Sequence, residues 1–167
     1  MNKKIEVKNV YKTFPDGTEA LKNVSFSLNE GDFLVVAGSN GSGKSVLMSL
    51  IAKLDEPSSG KINLDGLSVG LVFQDADSQI LGETPEEDVS FGAKNCGLRK
   101  AALQKCVDDS LEKTGLLNKK LSMARMLSGG EKRRLAVSGI LAMDRQLIIF
   151  DEPFANLDYP SVHQVCS

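Results

Sequence analysis

Apolar residues fall at Ile5, Val7 and Val10, with Tyr11 beside the last, so the first segment alternates as a strand buried on one face does. Phe14-Pro15-Asp16-Gly17-Thr18 supplies turn chemistry, and alternation resumes over Val24-Ser25-Phe26-Ser27-Leu28; together these predict an antiparallel hairpin. Phe33-Leu34-Val35-Val36-Ala37 breaks the rhythm. An unbroken apolar run predicts a strand buried on both faces of a parallel sheet, here ending in glycines and followed by a helix. That helix opens at Lys44, runs to about Leu54 and is stopped by Asp55-Glu56-Pro57-Ser58-Ser59-Gly60. Lys61–Gly66 and Gly70–Gln74 read as short strands.

From Thr84 the period becomes helical. Thr84-Pro85-Glu86-Glu87 combines a cap residue, proline at the first helical position and a glutamate at capping-box spacing. Leu103, Val107 and Leu111 then set an apolar stripe at four-residue spacing. Leu147-Ile148-Ile149-Phe150 is a second continuous apolar strand, ending in Asp151-Glu152. No repeat, low-complexity tract or flexible linker interrupts the pattern.

Composition adds mainly exclusions. At 167 residues, with 41% hydrophobic and 25% charged, the chain can bury one sizeable core. Twenty basic against 22 acidic residues leave a net charge of -2, so nothing points to nucleic acid or an anionic lipid surface. Cys96, Cys106 and Cys166 are scattered and His163 is the single histidine, a set that suits no zinc site and predicts reduced thiols in a cytosolic protein. No segment reaches the ~18 apolar residues of a membrane span and Met1-Asn2-Lys3-Lys4-Ile5 opens no signal sequence, so membrane contact is expected only through a partner.

Gly38-Ser39-Asn40-Gly41-Ser42-Gly43-Lys44-Ser45 fits G-x-x-x-x-G-K-[ST] between an expected strand and an expected helix. Glycines let the backbone approach phosphates closely, amide N–H groups and the positive helix end face the anion, Lys44 brings a charge to the outer phosphates, and the Ser45 hydroxyl can ligate Mg²⁺. Asp151 and Glu152 follow an apolar strand, where carboxylates are costly unless something cationic uses them. Asp151 is the candidate to hold an Mg²⁺ hydration shell and Glu152 to polarise an attacking water; an acidic cap at a strand end would look the same. Leu127-Ser128-Gly129-Gly130-Glu131 has the spacing of a plain capping box, yet two consecutive glycines also open a helix N-terminus to an anion.

With these motifs together the chain resembles the ATP-binding-cassette ATPases: a P-loop at Gly38 to Ser45, a glutamine loop at Gln74, the signature from Leu127 to Glu131, the carboxylate strand ending at Asp151-Glu152, and a D-loop at Asn156-Leu157-Asp158. The resemblance implies an α/β P-loop NTPase core with an antiparallel β N-terminal part and a helical subdomain at about 75–127. It implies ATP and Mg²⁺ as ligands. Two cassettes would dimerise head to tail, so that Ser128, Gly129 and Gly130 of one close over ATP held by the other's P-loop. By the same resemblance Tyr11 would stack on adenine, Gln74 and Glu152 would be catalytic, and Ser45, Gln74 and, through water, Asp151 would serve the metal. An aromatic residue in a strand can equally be core.

Val72-Phe73-Gln74-Asp75-Ala76-Asp77-Ser78-Gln79, Glu87-Asp88-Val89-Ser90-Phe91-Gly92 and Glu131-Lys132-Arg133-Arg134-Leu135-Ala136 look like the cobalt and vitamin-type energy-coupling factor ATPases. In that group the segment after the glutamine loop contacts a transmembrane coupling subunit, which would make Asp77 and Gln79 transmission residues; a surface turn is the alternative. The implied protein is a cytoplasmic, peripheral ATPase subunit that energises a micronutrient importer as a homo- or heterodimer. Two departures stand out. Only Leu67-Ser68-Val69 separates Gly66 from Gly70, a short arm for the family. His163 also lies too close behind Glu152 to be the family's switch histidine, and is expected to be a solvated helix residue. The chain therefore reads as a single cassette domain over 1–167 truncated after the D-loop, with an incomplete parallel sheet, and the alternatives are a non-catalytic remnant or a soluble cassette protein outside transport.

Overall fold

A computed structural model describes residues 4–152, which form two compact units, one up to Val69 and the other from Gly70 onward. In the first unit β1 (Lys4–Thr13) and β2 (Glu19–Asn29) make the expected antiparallel hairpin, and β3 (Ser59–Asn63) pairs antiparallel with the other edge of β1, giving the order β2-β1-β3. The spacing of Ile5, Val7 and Val10 skips a residue because the strand does. The register shifts between Val7 and Val10 on the β2 side and between Lys8 and Tyr11 on the β3 side, Asn9 adopts φ 47°, and its backbone N–H turns to the Ser25 hydroxyl at 2.8 Å. A bulge of this kind resets the alternation. It lets Val7 and Val10 both bury while Tyr11, directly after, points outward. Gly60, opposite the bulge at φ +89°, has no room for a side chain, since a Cβ there would lie 2.2 Å from the Asn9 carbonyl oxygen.

Helix α1 (Lys44–Ile51) follows the glycine-rich loop and buries Leu47, Leu50 and Ile51. The run Phe33 to Ala37 is a correction to the sequence reading. It is not a strand: no described strand pairs with it, and Phe33 is 89% and Val35 71% exposed. Apolar character supplies a reason to be buried but no pairing partner, and a strand exists only through its neighbour's hydrogen bonds.

The second unit opens with β4 (Val69–Val72), which pairs parallel with β5 (Leu147–Phe150), and the Asp151 N–H extends the pairing to the Val72 carbonyl at 3.0 Å. Between them lie α2 (Pro85–Asn95), α3 (Lys100–Lys113) and α4 (Gly129–Ala142). As the sequence predicts, Thr84 caps α2 by accepting from Glu87 N–H at 3.2 Å, with Pro85 in the first turn. Val107 and Leu111 of α3 are fully buried in a core with Val89, Leu116, Leu127 and Leu135, and Leu103 packs against it. A smaller cluster of Val72, Ala76, Ala136 and Ile140 seats α4 against β4. The architecture is the expected incomplete P-loop core: an antiparallel sheet, a two-stranded parallel sheet and a helical part.

Candidate functional site

In the first unit the glycine-rich loop is shaped for close approach. Gly41 and Gly43 both take positive φ, and a Cβ on Gly43 would sit 2.4 Å from the Ala20 carbonyl oxygen of β2, so the loop lies flat on the strand only without a side chain. Gly43 is also the N-cap of α1, with no side-chain acceptor and no acidic residue in the first turn. Helices α2 and α4 differ, Thr84 and Ser128 each supplying an oxygen, while α3 starts behind Arg99 without a side-chain cap but also without a glycine-rich loop around it. A helix start lacking such an oxygen, wrapped by glycines, suits an external anion. Lys44 folds its ammonium over this loop, donating to the carbonyls of Gly38 and Ser39 at 3.0 Å each. Tyr11 is 38% exposed on β1, which removes the alternative that it is a core aromatic.

In the second unit residues distant in sequence converge. Gln74, just past β4, donates from Nε2 to Glu152 Oε2 at 2.8 Å. A carboxylate only accepts, so the NH₂ faces Glu152 and the amide oxygen of Gln74 is turned away from it. Arg133 on α4 donates to the Gln74 carbonyl and, at 3.4 Å, to the Glu152 carbonyl. It is only 5% exposed, and burial holds its guanidinium below the usual arginine range against the opposing pull of Asp75. The sequence reading missed this residue as a site component, because an arginine next to two other charged residues reads as solvent-facing. Extending the buried Ala136–Ile140 stripe back one turn would have found it.

The turn after Gln74 carries Asp77 and Gln79. Gln79 bridges back over the loop, accepting from Phe73 N–H at 3.0 Å and donating to the Leu71 carbonyl at 3.2 Å. Asp77 pairs with Lys132 in the first turns of α4 at 2.5 Å while its side chain stays 67% exposed. Asp77 also lines a cavity of about 420 Å³ with Ile80, Glu83, Met123, Ala124 and Arg125. At the start of α4 the capping box is complete: Ser128 Oγ accepts from Glu131 N–H at 3.3 Å, and Glu131 Oε2 accepts from Ser128 N–H at 3.0 Å. Gly129 is exposed with open space around it. The spacing thus serves as a cap, and the glycine beside it remains accessible.

Cys96 and Cys106 are free thiols, and among the described residues no group of three or more His, Cys, Asp or Glu could hold a metal. No helix among them is long and apolar enough to cross a membrane. The D-loop residues Asn156, Leu157 and Asp158, with His163 and Cys166, lie outside the described residues.

Comparison with known proteins gives the family. The family profile described as ABC transporter matches residues 21–155. An energy-coupling factor transporter ATP-binding protein EcfA of Methanosphaera stadtmanae is 39% identical over 92% of this chain and 60% of its own length. The chain thus spans about 60% of that relative. Among solved structures, CbiO1 of Clostridium perfringens, described as part of the ABC transporter complex CbiONQ, superposes with a TM-score of 0.88 at 34% identity, over 99% of this chain and 71% of that one. A dimeric ATP-binding cassette in a post-hydrolysis state, bound to ADP and Pi, gives a TM-score of 0.83 at 28% identity, over 96% and 79% of the two chains. With its glycine-rich loop, capped signature helix and paired Gln74 and Glu152, the chain belongs to the ABC transporter family.

Proposed function

We propose that this chain is the ATP-binding and ATP-hydrolysing part of a subunit that powers a membrane importer of the energy-coupling factor type, acting as a head-to-tail dimer of cassettes. The observation that carries the reading is the 2.8 Å hydrogen bond between Gln74 and Glu152, residues 78 positions apart. A glycine-rich loop alone argues only for nucleotide binding. A carboxylate just past a half-buried apolar strand, oriented by a glutamine that a buried arginine fixes in turn, argues for chemistry on that nucleotide.

Each residue then has a role. Gly38, Ser39, Asn40, Gly41, Ser42 and Gly43 wrap the phosphates through backbone N–H groups, Lys44 neutralises the outer ones, and Tyr11 offers its exposed ring to the adenine. The oxygen donors Ser45, Gln74 and, through water, Asp151 suit Mg²⁺, a hard cation that prefers oxygen and keeps part of its water shell. The turned-away amide oxygen of Gln74 fits that role. When bound, the ion supplies charge to the phosphates. Glu152 orients and polarises the attacking water. Ser128, Gly129 and Gly130 face the nucleotide of the partner cassette.

The resemblance to the cobalt and vitamin-type energy-coupling factor ATPases implies a micronutrient, a metal ion or vitamin, as cargo. The cavity beside Asp77, with apolar Ile80, Met123 and Ala124 and acidic Asp77 and Glu83, supports docking of a transmembrane coupling subunit and a peripheral place on the inner face of the membrane.

In the full-length protein, Glu152→Gln keeps Mg-ATP affinity by calorimetry within about threefold and lowers turnover at least about a hundredfold, the loss of a positioned general base. Lys44→Ala instead abolishes binding. Near-normal hydrolysis by Glu152→Gln would remove this residue from the chemistry, and undiminished binding by Lys44→Ala would remove the phosphate site.

A further inference from the structure

The capping glutamate of α4 poses an electrostatic problem. Glu131 occupies the first turn, where its carboxylate stabilises the helix by sitting at the positive end of the helix dipole. An incoming phosphate would seek that same end, and the two anions repel. The helix of the glycine-rich loop avoids the conflict by carrying no acidic residue in its first turn. Helix α2, with Glu86, Glu87 and Asp88 there, is unsuited to an anion altogether.

At α4 the conflict is met from outside the helix. Lys119, on the short 3-10 turn Leu117–Lys119, brings its ammonium to Glu131 Oε1 at 2.5 Å, while Oε2 is occupied by Ser128 N–H. Both carboxylate oxygens are therefore engaged. The Glu131 side chain is 17% exposed and that of Lys119 43%, so the pair lies partly out of solvent, where screening is weaker. The Lys119 ammonium and then the Ser128 amide hold the Glu131 carboxyl below the usual carboxylate range, so it is charged and needs a counter-charge whenever a nucleotide approaches. Ser128 Oγ accepts from Glu131 N–H, so its own proton is left to donate outward.

We propose that Lys119 is a positioning residue for the nucleotide: by neutralising Glu131 it keeps the N-terminus of α4 receptive to a phosphate while the capping box holds the Ser128 hydroxyl in place. This deepens, and rests on, the reading that Ser128, Gly129 and Gly130 face a partner cassette's ATP. Lys119 need not touch the nucleotide.

The test uses the full-length protein and the Mg-ATP concentration giving half-maximal turnover. Lys119→Met removes the charge and keeps the stem; it raises that concentration about five- to tenfold, the effect expected of one uncompensated charge near a helix end. Adding Glu131→Gln removes the carboxylate's charge but leaves an oxygen for Ser128 N–H, and returns the value to within about twofold of the parent. A purely structural role for Lys119 would lower the thermal midpoint and leave the Mg-ATP requirement unmoved. That result, or failure of the second substitution to restore the requirement, overturns the proposal. Gly129→Asp separates the two levels of the argument. No atom lies within 4 Å of its added Cβ, so the substitution meets no steric block there, and an unchanged thermal midpoint checks that the variant folds. If it leaves turnover intact, the reading of the α4 start as a phosphate-facing segment falls and the role of Lys119 falls with it. If it cripples turnover while Lys119→Met is inert, only the role of Lys119 falls.

Discussion

Asp88 shows how one side chain holds a segment that lines the cavity. Its Oδ1 accepts from Leu81 N–H at 2.7 Å and from Gly82 N–H at 3.0 Å, tying the segment before α2 to the helix. Gly82 lies so close that a Cβ there would be 2.3 Å from the Asp88 backbone nitrogen. Burial pushes the Asp88 carboxyl above its usual value, with the two backbone donors pulling the other way. Since the folded state holds this proton more tightly than the unfolded chain, the charged form detracts from stability at neutral pH, and that penalty is relieved as pH falls toward the ordinary aspartate range. Asp88→Asn keeps an acceptor oxygen and loses the charge. We expect it to be at least as stable as the parent at pH 7 in urea unfolding, with its advantage shrinking as the pH is lowered toward the ordinary aspartate range. Asp88→Ala leaves two amide donors unanswered and is about 1 to 3 kcal/mol less stable than Asp88→Asn at any pH. An advantage for Asp88→Asn that grows on acidification would contradict this assignment.

Helix α4 carries three jobs on one length of chain. Its N-cap presents Ser128, its first turns hold Glu131 to Lys119 and Lys132 to Asp77, and Arg133 fixes the Gln74 loop and the end of the Glu152 strand. Arg133→Met fills similar volume but gives up both carbonyl contacts, so Gln74 and Glu152 lose their common support. The expected result is a kcat lowered about tenfold or more, the scale of small misplacements in a site, with KM for Mg-ATP changed less than about threefold. Arg133→Lys, which keeps the charge but not the forked donors, falls between. A rise in KM with unchanged kcat would show instead that Arg133 serves binding. Elements with a local cause were legible in the sequence: the Thr84-Pro85 start of α2 and the Val107–Leu111 stripe of α3 are there as read. The glycine-rich start of α1 and the Ser128-Glu131 capping box of α4 were legible too, because local backbone demands force residue type and spacing. Arg133, Lys119 and the bridging role of Gln79 were not. The partners of Arg133 and Lys119 lie elsewhere in the chain, Gln79 folds back on its own loop, and no local period marks any of the three. The β1 bulge was half legible, its skipped residue visible but its meaning dependent on the pairing of Asn9.

For the molecule as a whole, the decisive feature is the segment from Phe33 to Ala37. Phe33 is 89%, Val35 71% and Leu34 43% exposed, immediately before the glycine-rich loop, and no described strand pairs with them. Burying a side chain of this kind is worth about 1.5 to 3 kcal/mol, a large share of the 5 to 15 kcal/mol by which domains are stable. A β-prone apolar segment with unpaired backbone groups is also a template for a second chain. The 167-residue chain expressed by itself is therefore expected to self-associate and to show no Lys44-dependent ATP turnover. Light scattering during size-exclusion chromatography checks the first statement and a phosphate-release assay the second. Replacing Phe33 and Val35 together by lysine puts charge on this segment without touching Gly38 to Ser45. If these residues drive association, the monomer fraction rises with each substitution and most with both. Association unchanged by the double substitution would locate the sticky surface elsewhere, for which Leu121 and Met126, 70% and 77% exposed near the start of α4, are the next residues to replace. A monodisperse, cooperatively unfolding preparation that hydrolyses ATP and loses that activity with Lys44→Ala would refute both statements. It would mean that the apolar run is covered by some pairing the described strands do not provide.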